Sequence, residues 1–365
     1  MPTADELLGT AEVERLRAAL AEASGAELPA LRQAAAALHG LGLGDRARAL
    51  RDALLTDLPA DYPALDAVVR RALKDPEFGG WLVWPLSEAV ADRATAPPRQ
   101  HLGAGLRLTA ELTGRLTCEY ALRTFLTADL HTTLAAAREW TTHPDEHVRR
   151  LASEGTRPLL PWARRVPGLQ QRPELVLPLL DALHRDPSEY VRRSVANHLN
   201  DISRAHPELA VATAARWLEH PDPHTPKVVR HALRTLVKRG DAAALALLGF
   251  VPAAGLRVTG PVLGARSVAV GEMLPFTVTV ANDGDREVRL AVDYVVHHRK
   301  ADGSSSEKVF KLTTRTLAAG AELVLERRHS FRPITTRRYH PGEHAMEVQI
   351  NGSRSGLTTF QLHVG

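Results

Sequence analysis

The 365-residue chain is long enough for two cores, since a single core rarely grows past about 250–300 residues. Its apolar content of 44% and charged content of 24% are those of an ordinary globular protein. Cys118 is the only cysteine, which excludes an internal disulfide and cysteine-rich zinc sites; no stretch approaches the roughly 20 consecutive apolar residues of a membrane span.

The net charge of +4 is unevenly spread, with −4 over residues 1–137, +5 over 138–240 and +3 over 241–365. A basic block beside an acidic third favours a polyanionic partner for the centre, although surface arginine is also a habit of GC-rich genomes. In chain order, the opening MPTADELLGTAEVERLRAAL alternates charged and aliphatic residues and lacks the basic start and apolar block of a secretory signal, so a cytoplasmic location is expected. Gly40-Leu41-Gly42-Leu43-Gly44 is followed by no P-loop Lys-Ser/Thr, and nucleotide binding is unsupported. Apolar residues then recur at helical spacing up to about residue 252, as in Val211, Ala214, Ala215 and Leu218. His143-Pro144-Asp145-Glu146-His147-Val148-Arg149-Arg150 returns 43 residues later as Asp186-Pro187-Ser188-Glu189-Tyr190-Val191-Arg192-Arg193. Weaker copies are Asp61-Tyr62-Pro63 leading into Val68–Leu73, and His220-Pro221-Asp222-Pro223 leading into Val228–Leu233. A period near 40, with a turn, a proline expected at the first helical position and a V-R-x-x-A helix, is HEAT-like. One repeat cannot bury its apolar face alone, so residues 1–252 are expected to form an all-α HEAT-like repeat superhelix, an α-solenoid with a concave groove.

Beyond residue 252, period-two alternation takes over. Phe276–Val280 and Val288–Val295 flank the polar turn Asn282-Asp283-Gly284-Asp285 and read as an antiparallel hairpin. Lys308–Leu312, Glu322–Arg327, His344–Ile350 and Thr358–Val364 are further strands. Six or seven short strands in about 110 residues predict an all-β immunoglobulin-like sandwich over residues 253–365, resting on packing alone because it lacks a cysteine pair.

The paired arginines Arg149/Arg150 and Arg192/Arg193, with Arg230 one repeat on, suit a phosphate backbone gripped by guanidinium forks. Arg157, just past the Arg150 helix, joins these candidate DNA contacts. The other reading is that such arginines cap acidic neighbours between repeats. Glu154 lies four residues past Arg150, near the same helical face, before Gly155 and Pro158 end the helix. Its equivalent in the next repeat is Asn197, with Asp201 one turn later. A carboxylate weakens phosphate binding, so in a basic block it points either to work at a cationic transition state or to a salt bridge with an arginine. Trp162 reads as a plug between repeats or as a residue stacking on a sugar or base, and its setting favours the plug. Trp81, Trp84, Trp140 and Trp217 read as packing. Of seventeen histidines, His143/His147 and His297/His298 come nearest to metal spacing; without a third ligand they read as surface or capping residues, and no metal or cofactor is expected.

These residues resemble a known family. Leu151-Ala-Ser-Glu-Gly-Thr-Arg-Pro-Leu-Leu-Pro-Trp162 and Ser188-Glu-Tyr-Val-Arg-Arg-Ser-Val-Ala-Asn-His-Leu-Asn-Asp201 are similar to motifs of the HEAT-repeat DNA alkylation-repair glycosylases, in the AlkC-type form with an added immunoglobulin-like domain. Thr117–Leu126 and Ser330–Tyr339 look like further motifs of that family, and the likeness spans most of residues 60–365. The resemblance implies a monofunctional glycosylase that excises cationic N3-alkylated bases, such as 3-methyladenine and 3-methylcytosine, from double-stranded DNA without turning the base into a deep pocket. On the matched positions it places Glu119, Glu154 and Asp201 at the reactive sugar, Trp162 beside the lesion and Arg150 among the DNA contacts. A monomer with no membrane partner is the expectation.

The chemistry agrees with that assignment. An N3-alkylated purine already carries positive charge and leaves without protonation by an acid; carboxylates can stabilise the oxocarbenium-like sugar and position a water. No lysine lies near these motifs, which argues against a Schiff-base lyase step. In the sandwich, Arg299 with Lys300, and Arg332, Arg337 and Arg338, sit in basic turns suited to a minor-groove probe, while the domain would equally serve to cap the last repeat. A non-enzymatic HEAT scaffold and a damage-sensing DNA binder are the alternatives.

Overall fold

The computed structural model describes residues 3–252, 255–335 and 337–363; Thr336, Val364 and the two residues after the expected domain boundary at 252 lie outside them. The chain divides into two compact units, Met1–His206 with Arg216–Ala232, and Pro207–Ala215 with Leu233–Gly365.

The described part of the first unit is helical. Equivalent helices of successive repeats pack on one another: Leu102–Thr113 on Glu146–Glu154, that on Glu189–Ile202, and that on Thr225–Ala232. A second row runs through Leu43–Asp57, Val83–Ala94 and Glu119–Ala128. Val148, Leu151 and Ala152 on one helix, and Val191, Val195, Ala196 and Leu199 on the next, are buried by this stacking, as expected of a stripe at helical spacing. The 43-residue repeat has a matching hydrogen-bond pattern. Arg149 Nη1 donates to the carbonyls of His143 and Pro144, and Arg192 Nη1 to those of Asp186 and Pro187. The turn prolines, however, do not occupy the first helical position. Asp145 and Ser188 are the N-caps of helices that begin at Glu146 and Glu189, so Pro144 and Pro187 lie in the preceding turn. Side chains close that turn, Asp145 accepting from His147 N and Asp186 from Ser188 N, each at 2.8 Å, and the first helical turn needs no proline to preset it.

Besides residues 207–215 of the helix Pro207–Glu219, the second unit carries two short helices, Arg234–Arg239 and Ala242–Leu247, and eight strands among its described residues. These are β1 (Leu256–Leu263), β2 (Ser267–Ala269), β3 (Met273–Asn282), β4 (Val288–Arg299), β5 (Ser305–Leu317), β6 (Glu322–Ser330), β7 (Gly342–Ile350) and β8 (Ser353–His363). They form a three-stranded sheet in the order β1-β3-β6 and a five-stranded sheet in the order β2-β8-β7-β4-β5. The two sheets share one core: Phe276, Val278 and Val280 alternate inward from one, and Leu290, Val292, Tyr294 and Val296 from the other.

The expected hairpin of β3 with β4 does not form. β3 pairs with β1 and β6, β4 with β5 and β7, and residues 283–287 carry the chain between sheets. Asn282, 1% exposed, gives the turn this use: its Nδ2 donates to the carbonyls of Arg286, Leu317 and Ala318 at 2.7, 3.1 and 3.0 Å, tying the crossover to the end of β5. β1 has no counterpart among the expected strands, because Gly260-Pro261 interrupts its alternation. The short helices pack on the five-stranded sheet through Leu245 and Phe250 against Ala291, with Gln349 Nε2 donating to the Lys238 carbonyl at 3.2 Å. No helix among the described residues is long and apolar enough to cross a membrane.

Replacing Asn282 by Ala leaves buried carbonyls without their donor, an expected cost of about 1–3 kcal/mol. Hydrogen exchange should show the β3 and β5 amides opening more readily by that amount; unchanged protection contradicts the crossover role.

Candidate active site

Three carboxylates singled out by the sequence meet in the first unit. Glu119 opens the helix Glu119–Ala128, Glu154 closes Glu146–Glu154, and Asp201 lies in the last turn of Glu189–Ile202. They are 7%, 6% and 5% exposed. Two arginines bridge them. Arg150 Nη1 donates to Glu119 Oε2 at 3.3 Å, and its Nη2 lies 3.7 Å from Glu154 Oε1. Arg157 donates from Nη1 to Glu154 Oε1 at 2.6 Å and from Nε to Asp201 Oδ2 at 2.9 Å. Three carboxylates against two guanidiniums leave one formal negative charge in excess. Ser194 Oγ donates to Glu154 Oε2 at 2.6 Å, and the Arg150 guanidinium lies 4.7 Å from the Tyr190 ring centroid. Burial pushes the Glu119 carboxyl above the ordinary range; Arg150 opposes this, and the like charge of Glu154 adds to it. Burial also works against the charge on Arg157, but Asp201 and Glu154 outweigh it and hold that guanidinium above its ordinary range.

The segment after Glu154 is shaped by a close approach and a buried cation. A Cβ on Gly155 would lie 2.4 Å from Leu122 Cδ2, so glycine lets this helix end reach the Glu119–Ala128 helix. Arg123, 1% exposed on that helix, donates from Nη1 to the carbonyls of Gly155 and Arg157 at 3.1 and 2.8 Å, and from Nε to that of Arg164 at 3.0 Å. Burial, with Arg165, Arg164 and Arg157 nearby, lowers its pKa to about 10. The clamped segment carries Trp162 at φ 60° with 79% of its surface exposed. The plug reading therefore fails: Leu160 of this segment is buried, and Trp162 is largely exposed. A bulky side chain in left-handed backbone is costly, and such strain persists where the surroundings enforce it.

Arg149 and Arg192 take the structural alternative. Arg149 Nε and Nη2 donate to Asp186 at 2.7 and 3.1 Å, and Arg192 is buried on its turn carbonyls. Arg157 likewise faces Glu154 and Asp201 and is 7% exposed, so it is not presented to a phosphate backbone. Buried carboxylates and turn carbonyls supply these guanidiniums with the partners that water or phosphate would otherwise provide. Arg193 and Arg230 are exposed, on Glu189–Ile202 and Thr225–Ala232. In the second unit Arg299, at the end of β4, and Arg338 are exposed, while Arg337 is half-buried. Trp84, Trp140 and Trp217 are buried and Trp81 half-buried. His143 Nδ1 accepts from Asp145 N at 3.1 Å, a capping role, but His298 is no surface residue: its inward strand position places it, 3% exposed, beside Phe331 in the sandwich core. No group of three or more His, Cys, Asp or Glu that could hold a metal occurs among the described residues.

One solved structure decides the family. Pseudomonas fluorescens alkylpurine DNA glycosylase AlkC, bound to DNA containing an abasic-site analogue, is 33% identical to this chain; at a TM-score of 0.90 the match covers 99% of this chain and all of that one. The chain belongs to the AlkC family. The uncharacterized protein YhaZ of Bacillus subtilis (strain 168) is 36% identical over 322 residues, 88% of each chain. Family models match residues 176–249 as HEAT repeats and residues 257–364 as the C-terminal Ig-like domain of uncharacterised protein YhaZ.

Sequence reasoning passed over three residues of this AlkC-family site. Ser194 stands 43 residues after Leu151, so a hydroxyl replaces an apolar side chain where Glu154 needs a donor. Arg123 interrupts the apolar run Ala121–Leu126 on its buried side. A polar residue at a core register is the signal that would have found both. Tyr190, which faces Arg150, stands where the preceding repeat has His147, and nothing in the spacing marked it.

Arg157→Met should strand Glu154 and Asp201 without their cation and destabilise the first unit by about 3–5 kcal/mol in urea denaturation; a loss under about 1 kcal/mol contradicts the bridging role. Arg123→Met should speed amide exchange in residues 156–164 by about tenfold or more while leaving Glu189–Ile202 protected. Exchange that accelerates equally in both refutes a local clamp.

Proposed function

We propose that this chain is a DNA glycosylase of alkylation repair that hydrolyses the N-glycosidic bond of cationic N3-alkylated bases, 3-methyladenine and 3-methylcytosine, in double-stranded DNA. The observation that carries the reading is the chain of alternating charge Glu119–Arg150–Glu154–Arg157–Asp201, with its one surplus negative charge. Such a surplus, held in place before substrate arrives, stabilises a sugar cation as the bond breaks, at no cost of reorganisation. The leaving base carries its own positive charge, so no general acid is needed and no Schiff base is formed. A carboxylate that accepts a proton from water completes the hydrolysis. Exposed Trp162, presented by the Arg123 clamp, is the lesion-side contact, and base excision proceeds without an enclosing pocket. Exposed Arg193, Arg230, Arg299 and Arg338 are the backbone contacts, and the protein acts as a monomer in the cytoplasm.

The ion pairing of each of the three acids with an arginine is the observation that favours a non-catalytic scaffold or damage sensor instead. Single-turnover release of free base from methylated duplex DNA separates the readings. Glu154→Gln and Asp201→Asn should each lower the rate by about 100-fold or more with DNA affinity retained. Release by neither variant nor wild type sinks the glycosylase reading.

Because Glu119 is held above the ordinary carboxylate range, the anionic cluster is completed only as pH rises through that elevated value. The single-turnover rate should fall on the acid side at a higher pH than an ordinary glutamate would give, and Glu119→Gln should remove that limb. A limb that survives the substitution contradicts the assignment. Removing Arg193 and Arg230 together should flatten the slope of log affinity against log salt by about 0.9 per contact. An unchanged slope removes them from the DNA interface.

A further inference from the structure

Beside the acid cluster lies a cleft of about 160 Å³ in the first unit, well below the roughly 300–1,000 Å³ of drug-sized ligand sites. Its aromatic lining is Trp84, Tyr120 and Trp162, with Trp84 and Tyr120 stacked at 4.2 Å between ring centroids and 18° between planes. Two carboxylates line it as well: Glu88 and Asp92, one turn apart on Val83–Ala94, neither belonging to the Glu119 cluster. Burial pushes both carboxyls above the ordinary range, with Arg51 opposing. Glu88 Oε2 and, on the 5%-exposed Trp84, Nε1 are buried short of ordinary hydrogen-bond geometry, and the Trp84 indole joins Arg51 in opposing the rise of the Glu88 carboxyl. Four arginines line the cleft with these acids: Arg48 is engaged by Asp45, Arg51 by Asp52 at 2.7 Å and Arg123 by the carbonyls of Gly155, Arg157 and Arg164, and Arg164 is the fourth.

The cleft adjoins the reacting centre through one side chain. Burial and the charges of Glu119 and Glu154 push the Tyr120 phenol up to about 12; Arg150 opposes them, and Glu88 adds a smaller push. Tyr120 thus stands between the two sets of acids. An aromatic lining favours a flat ligand, and carboxylate oxygens accept hydrogen bonds from an edge rich in N–H groups. A sugar has no flat face to stack there.

We infer that this cleft is a binding site for a free purine base, stacked against Tyr120 and Trp162 with its amino edge on Glu88 and Asp92. Resting on the glycosylase reading, it receives the excised base on its way from the DNA, and the enzyme is inhibited by its own product. The excised base leaves the sugar before it enters the cleft, so Glu88 takes no part in bond cleavage.

Titrating free 3-methyladenine into the full-length protein, folded as judged by circular dichroism, tests this directly. The wild type should bind one equivalent; Glu88→Gln and Asp92→Asn should each weaken binding by about tenfold or more, the worth of one hydrogen bond to a charged group. Single-turnover excision by Glu88→Gln should stay within about twofold of wild type, while added base should slow multiple turnover in the wild type alone. No binding by the wild type, equal affinity in both variants, or tighter binding of adenosine monophosphate than of the free base overturns the inference. Base binding without excision counts against the glycosylase and leaves the base site standing; excision without base binding does the reverse.

Discussion

Everything at this site depends on the mutual neutralisation of buried charge. Three carboxylates below 8% exposure would each be costly to bury alone, as would Arg157 at 7%, with Arg150 half-buried beside them. Threaded alternately, each group supplies its neighbours' missing solvation, and the odd member leaves the net charge negative. The Arg150 and Arg157 bridges cross between successive repeats, from Glu119 on one to Glu154 on the next and Asp201 on the one after. The solenoid stacking and the charge network therefore hold one another in place.

That coupling explains why the repeat arginines divide into two kinds. The first of each pair, Arg149 and Arg192, bonds back to its own turn and fixes the start of the helix. The second is directed by what lies opposite: Arg150 meets the acids and Tyr190, whereas Arg193, 43 residues on, is exposed. One sequence pattern thus yields a structural residue, a site residue and a candidate DNA contact, depending on local partners that periodicity does not encode.

The HEAT-like and sandwich classes were legible because they rest on periods, 43 residues between repeats and two along strands. The pairing of β3 was not, since an Asn-Asp-Gly turn serves a hairpin and a sheet-to-sheet crossover equally; buried Asn282 decides between them through carbonyls far away in sequence. Glu154 and Asp201 stood out as acids inside a basic block, and Glu119 only through family likeness. Trp162 was misjudged because an aromatic residue in a loop is normally buried; its exposure follows from Arg123, whose three carbonyl partners are 32 to 41 residues distant. Long-range partners of this kind leave no local trace.

The surplus negative charge has its intended use only if a sugar cation sits against it. The most direct measurement is a structure of this protein on duplex DNA bearing a cationic abasic-site mimic. The account predicts at least two of Glu119, Glu154 and Asp201 in charge-assisted contact with the mimic, at about 2.7–3.5 Å. A mimic bound elsewhere, with all three acids still closed on Arg150 and Arg157, would contradict it.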